Sequence, residues 1–211
     1  MIEAILFDLD GVLCSTDEYH YQAWKQVADR LGIYFDREIN DRLRGVSRMA
    51  SLDIVLERAE NAFSAEEKAA FAAEKNEIYR ALLEQMSPAD LPDEVKRTLE
   101  ELRRRGYRLA VGSSSKNAKF ILERIGLGGW FDAVSDGTNI TRSKPDPEVF
   151  LKAAEYLDIA PERCAIVEDA VAGVQAGLSA GMETNAVGDA VKAHIADHDL
   201  GSLEDLLTIY V

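Results

Sequence analysis

The sequence is poor in residues that staple a fold, span a membrane or bind a polyanion. It holds 2 cysteines, Cys14 and Cys164, with no CxxC pair. That fits two core thiols in a reducing compartment better than one disulfide, and neither is read as a ligand. Positive charge is scarce: 24 Lys and Arg stand against 38 Asp and Glu, a formal net charge of -14. A nucleic acid would meet repulsion instead of releasing counterions, so any phosphate-bearing ligand must be small and met by local cations. No window approaches about 18 uninterrupted apolar residues. The N-terminus shows no basic region followed by an apolar segment and a small-residue cleavage site. Neither nucleic acid nor membrane is therefore expected as a partner, and the cytoplasm is the expected location. Internal repeats and low-complexity tracts are absent too.

What is present is an ordinary globular mixture, 47% hydrophobic and 29% charged over 211 residues, enough for a core domain with a smaller insert. Ile2 to Phe7 is nearly all apolar and β-compatible, as a strand buried on both faces must be. "YRLAVGSSS" (Tyr107 to Ser115), "FDAVSD" (Phe131 to Asp136), "CAIVED" (Cys164 to Asp169) and "METNAVG" (Met182 to Gly188) repeat the pattern. Helical patterns lie between them. "PDEVKRTLEELRRRG" and "PDPEVFLKAAEYLDI" each open with Pro near the first turn, and the former closes on Gly106. Strand alternating with helix predicts an α/β fold, a doubly wound parallel sheet.

Between the first strand and the second, residues 15–87 carry helical periodicity and no strand-like run; "AFSAEEKAAFAAEKNEIYRALLEQM" is the clearest amphipathic segment. This is too long for one crossover helix. The economical division is an α/β core of 1–14 and 88–211 with a helical domain, 15–87, inserted after strand one. The chain returns through "SPADLP" (Ser87 to Pro92), a hinge strand or linker.

In an open parallel sheet the strand C-termini share one edge, and ligands bind outside it. Asp8 and Asp10 follow strand one, Ser113, Ser114 and Ser115 follow strand two, and Glu168 with Asp169 end "CAIVED"; Lys144 in "SKPDP" precedes the intervening helix. Four carboxylates cannot crowd together unneutralised, since at about 4 Å each pair costs roughly 4 kcal/mol at an effective dielectric near 20. Hard oxygen ligands around a small volume suit Mg²⁺, which takes carboxylates, waters and substrate phosphate. The serines are expected to open a helix whose free N–H groups welcome phosphate, and Lys144 adds a point charge. One aspartate can then act as nucleophile while the second carries a proton, and Gly11 lets the backbone turn. Taken singly each piece has a plainer reading: an Asx turn, two helix caps, a surface lysine. Their joint order along successive strand ends is what independent caps would not produce.

With "DLDGV", "SSS", "SKPDP" and "VED" in that order, the sequence resembles the haloacid dehalogenase (HAD) superfamily, which implies a Rossmann-like core with an α-helical cap. Within it, "FDLDGV", "EYHYQAW", "GVSR", "EKN", "SPAD", "SSKN" and "SKP" resemble the β-phosphoglucomutase family from Met1 to about Gly188. That resemblance implies Asp8 as nucleophile and metal ligand, and Asp10 as acid/base with its carbonyl on Mg²⁺. Glu168 and Asp169 would be further metal ligands, and Ser113 and Lys144 would hold the transferring phosphoryl group. It implies that Thr16, His20 and Lys75 couple cap closure to the placing of Asp10. Arg48, Ser115, Lys116 and Asn117 would hold the other phosphate. Gly45, Val46, Ser47 and Ser51 would line the sugar side, with Trp24 either packing the cap or serving as a sugar platform. Two departures stand out: Arg44 where the family often has lysine, and "AVAG" after "VED" where a serine or glutamine is expected.

The resemblance implies interconversion of β-D-glucose 1-phosphate and glucose 6-phosphate. The route is an aspartyl-phosphate, with β-D-glucose 1,6-bisphosphate as primer and intermediate, Mg²⁺ as cofactor, and a monomer acting on a small sugar phosphate. A HAD-type sugar-phosphate phosphatase is the alternative, distinguished by whether the cap holds a second phosphate. A non-catalytic phosphosugar sensor would be expected to lose Asp8 or Asp10, and both stand.

Overall fold

In chain order, β1 (Ala4–Phe7) leads into α1 (Asp17–Arg30), α2 (Arg37–Asp41), α3 (Arg48–Val55) and α4 (Ala65–Leu83). There follow α5 (Asp93–Arg104), β2 (Arg108–Gly112), α6 (Ala118–Arg124), β3 (Ala133–Ser135), α7 (Glu148–Leu157) and β4 (Cys164–Glu168). α8 (Val171–Ser179), β5 (Glu183–Ala186), β6 (His198–Asp199) and α9 (Leu206–Ile209) complete the chain. The computed structural model describes residues 1–43 and 46–211. These form two compact units, Met1–Ser15 with Met86–Val211, and Thr16–Gln85.

The first unit is a parallel sheet in the order β3-β2-β1-β4-β5-β6. The central strands β1 and β4, and β2 after Arg108, are buried on both faces, as their apolar runs require. Ala4, Leu6, Ala110, Cys164 and Ile166 pack with Val149, Phe150 and Ala153 of α7 and Ala176 of α8. Ile5, Phe7, Leu109, Val111, Ala165 and Val167 alternate to the other side and are equally buried, where α5 packs against β2. Strand order reverses between β1 and β4, which opens a crevice at their C-terminal ends. The register pairs Phe7 with Val167, so the next residues, Asp8 and Glu168, come out side by side.

Three local features depart from or refine the sequence reading. Of the two readings of "SPADLP", strand or linker, the strand is not formed: Pro88–Asp90 is one 3₁₀ turn, because the Ser87 side chain and the Asp90 carboxylate cap each other's backbone and Pro88 suits the first position. The serines do not open a helix. Ser113 Oγ accepts from Ser115 N–H at 3.2 Å and Ser115 Oγ from Asn117 N–H at 3.1 Å, so the hydroxyls hold a loop and α6 starts at Ala118. The two-residue β6, polar throughout, gave no sequence signal.

The second unit is helical. α4 has its start in a capping box, with Ser64 Oγ on Glu67 N–H and the Glu67 carboxylate on Ser64 N–H, an arrangement worth about 0.5–2 kcal/mol. α1 and α4 pack together over a cluster that includes Trp24, Ala28, Phe35, Leu52, Val55 and Ala72.

Candidate active site

At the β1–β4 crevice, oxygens of Asp8, Glu168 and Asp169 lie within 4.8 Å of one another. Lys144 reaches this cluster from the loop before α7. Its ammonium is 2.5 Å from Asp8 Oδ1 and is also hydrogen-bonded to Glu168. Burial works against the lysine charge, but the two carboxylates overcome it and hold Lys144 above the ordinary lysine range. Burial likewise pushes Glu168 up, with Lys144 opposing and Asp8 adding to the rise. Asp169 is pushed up to about 8, by burial first and then by the charges of Asp8, Glu168 and Asp10. One ammonium does not neutralise this many carboxylates. Glu168 and Asp169 are thereby disposed to hold protons unless a cation joins them, and an all-oxygen donor set of this size fits Mg²⁺.

Two glycines make the crowding possible. Gly11 has φ +88°, and a Cβ there would stand 2.0 Å from Asp169 Oδ2. Its place in "DLDGV" therefore serves a left-handed turn and the approach of a carboxylate at once. Gly173, on the first turn of α8, would place a Cβ 1.9 Å from the Glu168 carboxyl carbon. Glu168 is further held by Ala170 N–H at 3.1 Å. Asp10 sits in the loop whose Gly11 N–H bonds Cys14 O at 2.7 Å. Cys14 and Cys164 are both free and buried; burial, then Asp10 and Asp8, push the Cys14 thiol up, away from thiolate chemistry.

Beside β1, the β2 loop carries Ser113 and Asn117 buried, Ser115 half-buried and Lys116 exposed. It is braced by Ser113 N–H on Ser135 O and by Gly137 N–H on Ser115 O.

The helical unit assembles a second group. Thr16, His20 and Trp24 follow one another at single-turn spacing along α1, while Lys75 and Tyr79 do so on α4. Lys75, 3% exposed, bonds His20 Nδ1 at 2.7 Å and lies over the rings of Trp24 and Tyr79. Burial, then the charges of Lys75 and Arg48, push His20 well below its usual range, so it stays neutral and accepts through Nδ1. Trp24, 2% exposed among apolar neighbours, answers to packing. Arg48, first residue of α3, donates from Nη2 to Asn76 Oδ1 at 2.8 Å. Ser47 caps α3 through Ala50 N–H, Val46 is exposed, and Ser51 is buried with its hydroxyl toward Val46 O. Gly45, with Arg44, lies outside the described residues.

Sequence reasoning missed Tyr79, Asn76 and Gly173. The one-turn offset of Tyr79 from Lys75 is a signal for it; Gly173 lies in "AVAG", which departs from the family's text and holds no ligand side chain.

A family profile described as haloacid dehalogenase-like hydrolase matches residues 2–181. The chain belongs to the haloacid dehalogenase-like hydrolase family. Within the family it is 42% identical over 189 residues to a β-phosphoglucomutase of Bacillus subtilis, covering 89% of this chain and 84% of that one. It is 32% identical to a phosphorylated carbohydrates phosphatase of Thermotoga maritima, over 86% and 83% of the two chains. Among solved family structures, a β-phosphoglucomutase from Clostridium difficile superposes with a TM-score of 0.90 at 38% identity, covering 98% of this chain and 93% of that one.

Proposed function

We propose that this family member is a β-phosphoglucomutase, moving a phosphoryl group between the 1- and 6-oxygens of β-D-glucose. The phosphorylated carboxylate of Asp8 is attacked by the substrate 6-hydroxyl; the O6–P bond forms as the Asp8 O–P bond breaks, and Asp10 takes the hydroxyl proton. The resulting β-glucose 1,6-bisphosphate turns over. Asp8 then attacks the 1-phosphoryl group, the P–O1 bond breaks, and Asp10 returns the proton to O1. Lys144, held charged, steadies the phosphoryl oxygens with Ser113. Mg²⁺, held by Asp8, Glu168, Asp169 and the Asp10 carbonyl, would supply positive charge against those same oxygens.

The observation that carries this reading is the guanidinium of Arg48, half-buried and fixed by Asn76 in a unit separate from the carboxylate cluster. A guanidinium so placed suits the second phosphate of a bisphosphate intermediate, which needs both ends held. Ser115, Lys116 and Asn117 would share that phosphate, and the helical unit would act as a cap excluding water from the acyl phosphate. The second reading, a sugar-phosphate phosphatase, is favoured by the T. maritima relative. The deciding assay offers β- and α-glucose 1-phosphate separately, with Mg²⁺ and a trace of the bisphosphate as primer. Glucose 6-phosphate from the β anomer alone is expected. Release of inorganic phosphate at the rate of substrate loss would establish the phosphatase.

A further inference from the structure

Thr16 stands at the N-cap of α1, where a threonine hydroxyl ordinarily accepts from an N–H of the first turn. Here its side chain makes no capping bond. Its Oγ1 accepts instead from the phenolic O–H of Tyr79 at 2.9 Å. Thr16 is fully buried and Tyr79 is 2% exposed, so the pair is shielded from water. The Tyr79 ring stacks on the His20 imidazole, centroids 4.1 Å apart and planes at 26°. The Lys75 ammonium lies 4.4 Å from the same ring's centroid while it bonds His20. One side chain thus touches Thr16 through its hydroxyl and both His20 and Lys75 through its ring.

Packing alone does not require the phenol, since phenylalanine would fill the space and stack equally well. The Tyr79 hydroxyl engages Thr16 in place of a capping bond, and departures from a local rule concentrate at functional sites. A hydroxyl has one proton and two lone pairs. With one lone pair taken by Tyr79, the direction of Thr16's own proton is constrained.

We propose that Tyr79 is a positioning residue for phosphoryl transfer, fixing the Thr16 hydroxyl through its O–H and the His20–Lys75 pair through its ring. The inference rests on the mutase reading, in which Thr16, His20 and Lys75 govern the placing of Asp10. It adds a fourth member that acts through the other three.

The test is a cycle of Tyr79→Phe against Thr16→Val and Thr16→Ser, assayed as glucose 6-phosphate formed from β-glucose 1-phosphate. Tyr79→Phe should lower kcat about tenfold while KM stays within about twofold, the signature of lost positioning. In a Thr16→Ser background, which keeps the hydroxyl, the same loss should recur. In a Thr16→Val background it should vanish, because the phenol has nothing left to direct. Losses that multiply in Thr16→Val would overturn the inference, as would a Tyr79→Phe protein that no longer melts cooperatively, since the phenol would then be holding the fold. Full activity in Tyr79→Phe overturns it while leaving the mutase reading intact. A wild-type protein that does not isomerise the β anomer overturns both.

Discussion

Gly173 and Glu168 cannot both keep their places if the glycine gains a side chain: an added Cβ would lie 1.9 Å from the Glu168 carboxyl carbon. The first turn of α8 is therefore part of the metal-binding proposal although it contributes no ligand. Mg²⁺ at about a hundredfold excess over its dissociation constant should add roughly 2.7 kcal/mol to stability, read as a Tm rise of several degrees that a chelator reverses. Gly173→Ala should lose most of that rise. An unchanged Mg²⁺ response in the variant would show that Glu168 is not a ligand.

Asp8→Asn removes the nucleophile, and no phosphoenzyme should form from acetyl phosphate, as measured by intact mass. Asp10→Asn leaves the Asp8, Glu168 and Asp169 side chains alone. It should keep the Mg²⁺-dependent Tm rise while turnover falls about 10²–10⁴-fold, the usual range for a lost general acid and base. A stable phosphoenzyme in Asp8→Asn would refute the nucleophile assignment.

Arg48 is a planar fork already fixed at one nitrogen by Asn76 Oδ1 at 2.8 Å, a geometry that suits phosphate gripped by its remaining donors. Arg48→Ala should cripple turnover of β-glucose 1-phosphate. Phosphorylation of Asp8 by acetyl phosphate, which has no second phosphate to hold, should survive. Equal losses in the two assays would mean that Arg48 supports the fold instead of reading the distal phosphate.

His20 links stability to pH. Burial, Lys75 and Arg48 hold its folded-state pKa well below the ordinary 6.5, so below that pH the unfolded chain binds the extra proton and the folded one does not. Stability from this residue is full above about pH 6.5. It falls by about 1.4 kcal/mol for each pH unit of acidification until the folded pKa is reached. Between pH ~7.5 and ~5.5 the Tm of His20→Asn should therefore drop less than that of the wild type. Parallel curves would place a protonated histidine in the folded protein.

The fold was legible where the signal was local. Ala4 to Phe7, Leu109 to Val111 and Cys164 to Val167 are apolar without alternation because a parallel strand has no wet face, and Gly106 at φ +93° follows α5 for want of a Cβ. The serine run shows the limit of such reading. Hydroxyls can cap a helix or fold back on their own loop, and the choice at Ser113 and Ser115 followed from how β3 anchors that loop through Ser135 O and Gly137 N–H.

Residue types and spacing alone marked Asp8, Asp10, Glu168 and Asp169 as candidates, since acids directly after buried strands must meet solvent, a cap or a cation. Only the pairing of β1 with β4 made neighbours of Asp8 and Glu168, and only the loop before α7 brought Lys144 between them. Beyond the one-turn offset of Tyr79 from Lys75, the sequence does not show what Gly173 and Tyr79 touch; one matters for the volume it leaves empty, the other for three partners on two helices. The division follows from range: strand periodicity, caps and turns are set by residues a few positions apart, whereas strand register and helix packing join residues far apart along the chain through the burial of shared apolar surface.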